Sequence, residues 1–464
     1  MKRKLFILMV IALFAMQIVP SFGQEGGIPQ TLIMPEQIAE GRPVTITVSD
    51  KPSPDREEEL SLWQDQVNRF QEMYPNVTIE GLELEYEPTA FVALIAGDQL
   101  PTLFRSYFTE PEKFIAQDAV ADLTPLFEAS GVADTFNSSV LDIATQDGAV
   151  YAIPENAYAL GLAYNIELLA AAGYDAPPTT WDELVEIAQA VTDKDDGIAG
   201  FAFINDGSAA TGWHFTNIAY SFGASPDEII AVNDDGSYSA AFGEGATVDA
   251  LNFIHDLRWE YDVLPGATLN WGSITEALVS GRVAMAIYAG DQFGFMLNSF
   301  PDADIANFGY APMPSGPNGI SALTGGNLWM IDAGASEDER EAAFYFQLWR
   351  QLDPAEYESA VITQSEQGRT IGQPVLPMYV GEHQEGREAF EADYNVLPVE
   401  NYALFNDAVK AGDITLYAEP ITAVQDYYAE LGVLVSEVLS NERTDPETRL
   451  GEVAEEFQIF VLDR

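Results

Sequence analysis

The chain has 464 residues, with 74 Asp and Glu against 20 Lys and Arg, three His and no Cys, for a formal charge of −54. So negative a chain repels phosphate and anionic lipid headgroups, which argues against nucleic-acid binding and against a membrane role through basic patches. Without Cys there is no disulfide, zinc–thiolate site or thiol nucleophile, while 47% apolar residues over this length can fill two or three packed cores.

Lys2, Arg3 and Lys4 precede an uncharged apolar run from Leu5 to Met16, and Ser21 and Gly23 supply small residues for cleavage after Gly23. This is the pattern of a secretory signal peptide over residues 1–23. The run is short for a membrane anchor. Lipid attachment at the cleavage site needs a Cys, and none exists. Cleavage leaves 17 basic against 74 acidic residues, a charge of −57. The expected mature protein is exported, periplasmic or extracellular, and not a lipoprotein.

Residues 24–43 lack periodicity and read as a flexible lead-in. Val44–Val48 is a β-branched run and predicts a strand. Asp55 with Glu58 suggests a capping box. Leu60, Trp63, Val67, Phe70 and Tyr74 then recur at helical spacing until Pro75 and Asn76. Val77–Leu84 alternates as a second strand, and strand–helix–strand in this order argues a parallel α/β unit. The alternation continues with a helix over 91–96, a strand over Leu103–Tyr107, a helix over 111–117 and a strand over 149–154 that Pro154 should end. Thr180 with Glu183 begins a helix whose Leu184, Ile187, Ala188 and Val191 face inward. Asn233–Gly236 marks a turn between two short strands, Val283–Tyr288 is an apolar strand, and Val424, Tyr428, Leu431, Val435 and Val438 define a C-terminal helix.

Hydrolase and nucleotide motifs are missing from the sequence. His214, His255 and His383 are scattered, with no metal-ligand spacing, and read as surface or half-buried residues. The run Asp193-Lys194-Asp195-Asp196-Gly197 reads as a solvated turn, since a calcium loop needs alternating ligands and a terminal Glu. With 74 carboxylates available, a pair for glycoside hydrolysis carries no information.

Longer segments carry more. Residues 147–154, from Asp147 to Pro154, lead through Leu160-Gly161-Leu162-Ala163-Tyr164-Asn165 into Ala172-Gly173-Tyr174-Asp175-Ala176-Pro177-Pro178-Thr179-Thr180-Trp181-Asp182-Glu183-Leu184. This stretch resembles the extracellular solute-binding proteins of ABC importers, family 1, the maltose-binding-protein-like branch. Tyr74-Pro75-Asn76-Val77, residues 94–101, Leu278–Met285, Pro312-Met313-Pro314 and Gly325-Gly326-Asn327 resemble further family segments in the right order. The resemblance covers most of 44–464. It implies an α/β, two-lobe periplasmic-binding-protein-like fold of type II, with mixed sheets flanked by helices and a hinge-bending cleft. Crossings are expected near Pro154–Ala157, Ala306–Gly309 and Arg350–Tyr357. Lobe I would then be 44–156 plus 309–354, and lobe II 157–308 plus 355–464.

The resemblance also implies no enzyme activity and no cofactor or metal. It implies a monomer that captures a small solute, a sugar or oligosaccharide, and delivers it to ABC transporter permease subunits. A secreted carboxylate-dependent glycoside hydrolase is the alternative. In open α/β sheets ligands meet the carboxyl ends of strands, which selects Ser49 and Asp50 after the first strand and Arg105 and Tyr107 at the end of the third. A polyhydroxyl ligand needs flat aromatic faces and planar polar groups. Tyr107, Tyr158, Trp213, Trp271, Tyr288 and Trp329 are candidates for the first, and Asn156, Asp291, Gln292 and Asn327 for the second. By resemblance Tyr158 enters the second lobe at a ligand-contact position. Trp213 lies in a segment that supplies a stacking aromatic, Tyr288–Gln292 forms a cleft loop, and Gly325, Gly326 and Asn327 bring backbone close to ligand. Packing competes for each aromatic: it stands level with ligand contact at Trp213 and Tyr288 and is favoured at Trp271 and Trp329. Trp63, Trp181 and Trp349 read as core or capping residues. Ion pairing competes with ligand contact at Arg105. Family aromatics expected after the first strand and in the 290s loop are replaced here by Ser49–Asp50 and Asp291–Gln292, which leaves a ligand with amines or other polar groups open.

Overall fold

The structure, a computed structural model, describes residues 27–464, so the expected signal peptide lies outside the described residues. The strands that matter for the site are β1 (Val44–Val48), β2 (Val77–Gly81), β3 (Leu103–Tyr107), β4 (Ala152–Asn165), β5 (Ala199–Ala202), β6 (Val283–Ala289), β7 (Phe308–Ala311), β8 (Ile320–Ile331) and β9 (Ile414–Tyr417). The corresponding helices are α1 (Glu57–Met73), α2 (Ala209–Ser221), α3 (Gln292–Ser299), α4 (Glu337–Leu352), α5 (Pro354–Glu366), α6 (Gly381–Glu391), α7 (Ala403–Ala411) and α8 (Val424–Ser440).

One nine-stranded sheet runs in the order β2-β1-β3-β8-β4-β6-β5, with β7 paired to β4 and β9 to β8. Its first half holds parallel β1, β2 and β3, with the C-terminal part of β8 antiparallel to β3. In the second half, the C-terminal part of β4 pairs with β6 and β7, and β6 runs parallel to β5. Only β4 and β8 belong to both halves. They pair with each other through Thr324–Ala159, Gly325–Tyr158, Gly326–Ala157 and Asn327–Asn156, with a register shift after Asn327. The two lobes are therefore joined through a two-stranded neck in which both chains continue unbroken.

Several expectations are corrected here. Pro154 does not end its strand. It sits opposite Leu328 where the register shifts, a place that tolerates the missing N–H, and β4 continues to Asn165. The second crossing is not at Ala306–Gly309. Phe308–Ala311 is wholly buried and pairs with Asn165–Leu162 in the second lobe, so the chain returns only along β8, through Thr324–Asn327. The third crossing is not at Arg350–Tyr357. Arg69 on α1 pairs with Glu356 and so holds α5 against the first lobe, while Arg387 on α6 lies 3.6 Å from the centre of the Tyr357 ring. The chain first touches the second lobe at Gln373, whose Oε1 accepts from the Gly294 N–H at 2.9 Å, and is anchored on it at Asn401, whose Nδ2 donates to the carbonyls of Ala306 and Phe308. Such pairings between distant residues leave no mark on periodicity.

The lead-in also departs from expectation. Within its described part, Leu32, Ile38 and Ala39 are buried, and the Tyr74 hydroxyl donates to the Pro35 carbonyl at 2.7 Å. At the start of α1 no side chain caps the helix, because Asp55 accepts from Ser53 instead. The apolar stripe of α1 is formed as predicted, with Phe70 packed on Phe346 and Trp349 of α4. In the second lobe α2 is buried from Thr211 to Ser221. A Cβ on Gly212 would stand 2.1 Å from the Tyr428 carbonyl, so α2 and α8 meet backbone to backbone. That contact sets Trp213 beside Tyr428. His214 and His383 are buried rather than half-exposed, and burial lowers them to about 3 and about 4.

Candidate functional site

Two chambers open beside the neck and share Tyr107. The first, about 310 Å³, takes Phe108 and Thr109 from the first lobe, Tyr158, Gly325 and Gly326 from the neck, and Trp213, Trp271, Glu419, Gln425 and Tyr428 from the second lobe. The second, about 440 Å³, lies in the first lobe among Asp50, Trp63, Tyr86, Arg105, Ser106, Glu155, Asn327, Trp329 and Arg350, with Arg56, Glu59 and Glu85 at one side.

The first chamber is aromatic. Tyr158 meets Trp213 edge-on at 6.1 Å between centroids, and Trp213 lies 5.8 Å from Trp271. Gly325 makes room for this wall, since a Cβ there would come within 2.6 Å of the Tyr158 ring. At Gly326 a Cβ would meet the Asn156 carbonyl at 2.3 Å and the Phe108 ring at 2.5 Å. One carboxylate faces these rings. Glu419 follows β9, accepts from Trp213 Nε1 at 3.2 Å and accepts from the Tyr428 hydroxyl. Burial lifts its carboxyl well above the usual carboxylate range. Gln425 Nε2 donates to Thr109 Oγ1 at 3.3 Å, a hydrogen bond that spans the two lobes.

The second chamber is polar and charged. Arg105 donates to Glu155, to Asn327 Oδ1 at 2.8 Å and, at 3.5 Å, to Asp50 Oδ2. It thereby ties β3 to both neck strands. Burial would raise Glu155, but the charge and hydrogen bond of Arg105, the nearby Trp329 indole and the charge of Arg350 together outweigh it and the net shift is downward. Asp50 goes the other way: burial raises it to about 6 despite Arg105. A walled cleft with an aromatic floor on one lobe and a polar recess in the other can hold a small polar molecule with flat apolar faces.

The family profile of the bacterial extracellular solute-binding protein matches residues 53–346, more than half of the chain. The chain belongs to that family. Among curated relatives, YcjN of Escherichia coli K12 is 25% identical over 296 residues, 60% of this chain and 63% of its own. The lactose-binding protein of Rhizobium radiobacter is 24% identical over 301 residues, 60% of this chain and 65% of its own. The alignments thus span somewhat less than two thirds of these relatives. Among solved structures, maltose-bound MalE3 of T. maritima superposes with a TM-score of 0.67 at 20% identity, over 90% of this chain and 100% of that one. A solute-binding protein of Thermotoga lettingae TMO bound with alpha-D-tagatose gives 0.66 at 21% identity, over 89% and 98%. The two-lobe fold expected from the sequence is that of these solved structures.

The structure brings together Tyr107, Tyr158, Trp213, Trp271, Gly325 and Gly326 in the aromatic chamber, and Asp50, Arg105, Asn327 and Trp329 in the polar one. Other candidates stand behind these walls. Ser49 is buried and accepts from the Arg105 backbone at 2.9 Å, and Asn156 Oδ1 accepts from the Asn327 backbone at 2.9 Å. Gln292 accepts at its carbonyl from the Tyr288 hydroxyl. Asp291 stands at the N-cap position of α3 without a side-chain cap hydrogen bond, its buried Oδ1 has no partner, and burial raises it to about 6.

Tyr288 is a correction. It is 0% exposed, its hydroxyl lies 3.0 Å from Thr275 Oγ1, and its ring packs on Phe293 in the second-lobe core. Alternation along β6 aims it away from the cleft. Trp63 is buried as expected yet also lines the polar chamber. Sequence reasoning missed Glu155, Glu419, Gln425 and Tyr428. Glu155 was legible as a neighbour of Asn156 on the crossing strand. Glu419 sits in a loop after β9 with no motif around it, and only the approach of α8 to α2 gives it a role.

Proposed function

We propose that this protein is the extracytoplasmic solute-binding component of an ABC importer and that its cargo is a sugar or oligosaccharide. A single observation carries the reading: the chamber whose walls come from both lobes is lined by Tyr158, Trp213 and Trp271 beside Glu419 and Gln425. Aromatic faces receive the C–H surfaces of a pyranose ring, and the polar groups accept and donate to its hydroxyls. The sugar-bound family members named above support the same assignment. Contact with both lobes at once favours the closed arrangement, so ligand shifts the balance toward closure by bending at Asn156–Ala159 and Thr324–Asn327. The loaded monomer then docks on its permease. Lobe I is 27–157 with 326–391, and lobe II is 158–325 with 396–464. Export follows cleavage after Gly23, without lipid attachment.

Isothermal titration against a panel of mono- and oligosaccharides tests the assignment, with X-ray scattering in parallel. The expected result is saturable binding of at least one saccharide, recovered chemically unchanged, with a smaller radius of gyration. Failure of every sugar and sugar alcohol to bind would remove the carbohydrate assignment. Turnover of a bound glycoside would replace it with the hydrolase reading.

A further inference from the structure

The polar chamber has unused hydrogen-bonding capacity of a particular kind. Trp63 Nε1, Tyr86 Oη, Ser106 Oγ and Trp329 Nε1 are buried and make no well-formed hydrogen bond, although Trp329 faces Glu155 and Tyr86 faces Ser106 and Glu110, and all four residues line this chamber. Each of the four residues is more than nine-tenths buried. Unpaired groups in such number cost folding free energy unless something in the chamber engages them. A sugar ring does so, since its hydroxyls both donate and accept.

The charges narrow the ring further. Among the described residues no Lys or His lines either chamber, and two of the three Arg in the polar one are paired to carboxylates. Arg105 is held by Glu155, Asn327 and Asp50 and Arg56 by Glu59 and Glu85, while Arg350 bonds only to the neutral Gln66 and Gln347 and lies over the Trp329 ring. Asp50, in contrast, has one oxygen to spare. Its Oδ2 meets Arg105 only at 3.5 Å, and its Oδ1 is buried with no partner at all. The backbone fixes this arrangement: Asp50 has a left-handed φ of 57°, and its N–H donates to the Leu84 carbonyl at 3.0 Å. Burial, with Glu155 and Glu85 near by, raises the Asp50 carboxyl to about 6 despite Arg105. An anionic sugar meets four carboxylates here, Asp50, Glu59, Glu85 and Glu155, against three Arg, of which only Arg350 is not paired to a carboxylate.

Resting on the saccharide reading above, we propose that the polar chamber takes a sugar ring bearing a protonated amine, with the ammonium group paired to Asp50 Oδ1. Indole N–H groups of Trp63 and Trp329 donate to the ring oxygens, and the hydroxyls of Ser106 and Tyr86 complete its partners. The protein is then selective for amino sugars over neutral sugars of the same shape, and against uronic acids.

The test is titration calorimetry on the whole mature chain with de-N-acetylated chitobiose, N-acetylated chitobiose, cellobiose, maltose and cellobiouronic acid, on wild type and Asp50→Asn. A charge-assisted hydrogen bond predicts roughly tenfold or greater preference for the free amine over cellobiose, and the ratio of the two affinities, measured within each protein, should fall to about one in Asp50→Asn. Glu419→Gln should keep the preference. Equal affinity for amine and neutral sugar in wild type would overturn the proposal, and so would a preference that survives Asp50→Asn. The wild-type comparison decides even if the variant does not fold. Binding of neutral sugars alone sinks this inference and spares the carbohydrate reading, whereas silence from every saccharide sinks both.

Discussion

The indole Nε1 of Trp213 donates to Glu419 Oε1 at 3.2 Å, joining residues 206 positions apart across α2 and the loop after β9. The bond fixes the plane of the tryptophan ring against Trp271 and Tyr158. A stacking surface held in one orientation loses less freedom on binding than a mobile one.

Trp271 is the cleanest probe of that surface. It is 38% exposed, so truncation removes ligand contact while disturbing little packing. Trp271→Ala is expected to weaken saccharide binding by roughly tenfold, with the melting temperature nearly unchanged. Trp213→Phe keeps a flat ring but strips Glu419 of a donor, and is expected to lose affinity and stability together. Calorimetry and thermal unfolding on the two variants separate these effects.

Gly326→Ala should be costly to stability. The added methyl group would press on the Asn156 carbonyl at 2.3 Å, and the neck backbone has no flexible end to move aside. A loss of about 1–3 kcal/mol is expected in denaturant unfolding. Gly325→Ala presses instead on the Tyr158 ring, and should additionally reduce ligand affinity by displacing that wall.

Arg105→Met leaves Glu155 without its cation and breaks the tie to Asn327. Both charges keep partial solvent contact, so the expected loss is roughly 1–3 kcal/mol rather than the larger cost of a fully buried pair. Urea titration measures it. Binding should weaken as well, because Asn327 and Glu155 line the same chamber.

Asp291 predicts a pH dependence. Burial raises its folded-state value from 3.8 to about 6, opposed by its own backbone hydrogen bond and by Arg105. The unfolded chain therefore gives up this proton before the folded one does, and the contribution to stability is greatest below about pH 4 and falls as pH rises through about 6. Asp291→Asn should flatten that part of the wild-type profile by up to about 3 kcal/mol. Melting temperatures from pH 4 to 7 for both proteins test it, and parallel profiles would refute a buried carboxyl at the start of α3.

Much of the fold could be read from local pattern. The β-branched run at Val44–Val48, the stripe from Trp63 to Phe70 and the Thr180 cap are all formed, because each depends on residues within a few positions of one another. Ordered segments such as Gly325-Gly326-Asn327 pointed to the family and its cleft for a similar reason: the neck needs glycines where a ring and a carbonyl press on the strand. What the linear chain could not decide is where it changes lobes and which side chains finish the site. Glu356 holds α5 by pairing with Arg69, 287 residues away, and Asn401 anchors the return to the second lobe on the carbonyls of Ala306 and Phe308. Tyr288 turned inward because the pleat of β6 assigns its face, and Glu419 joined the cleft because two helices met at Gly212. Short-range preferences fix the elements. The two chambers come from charge pairing, ring packing and backbone approach between segments that meet only when the sheet is assembled.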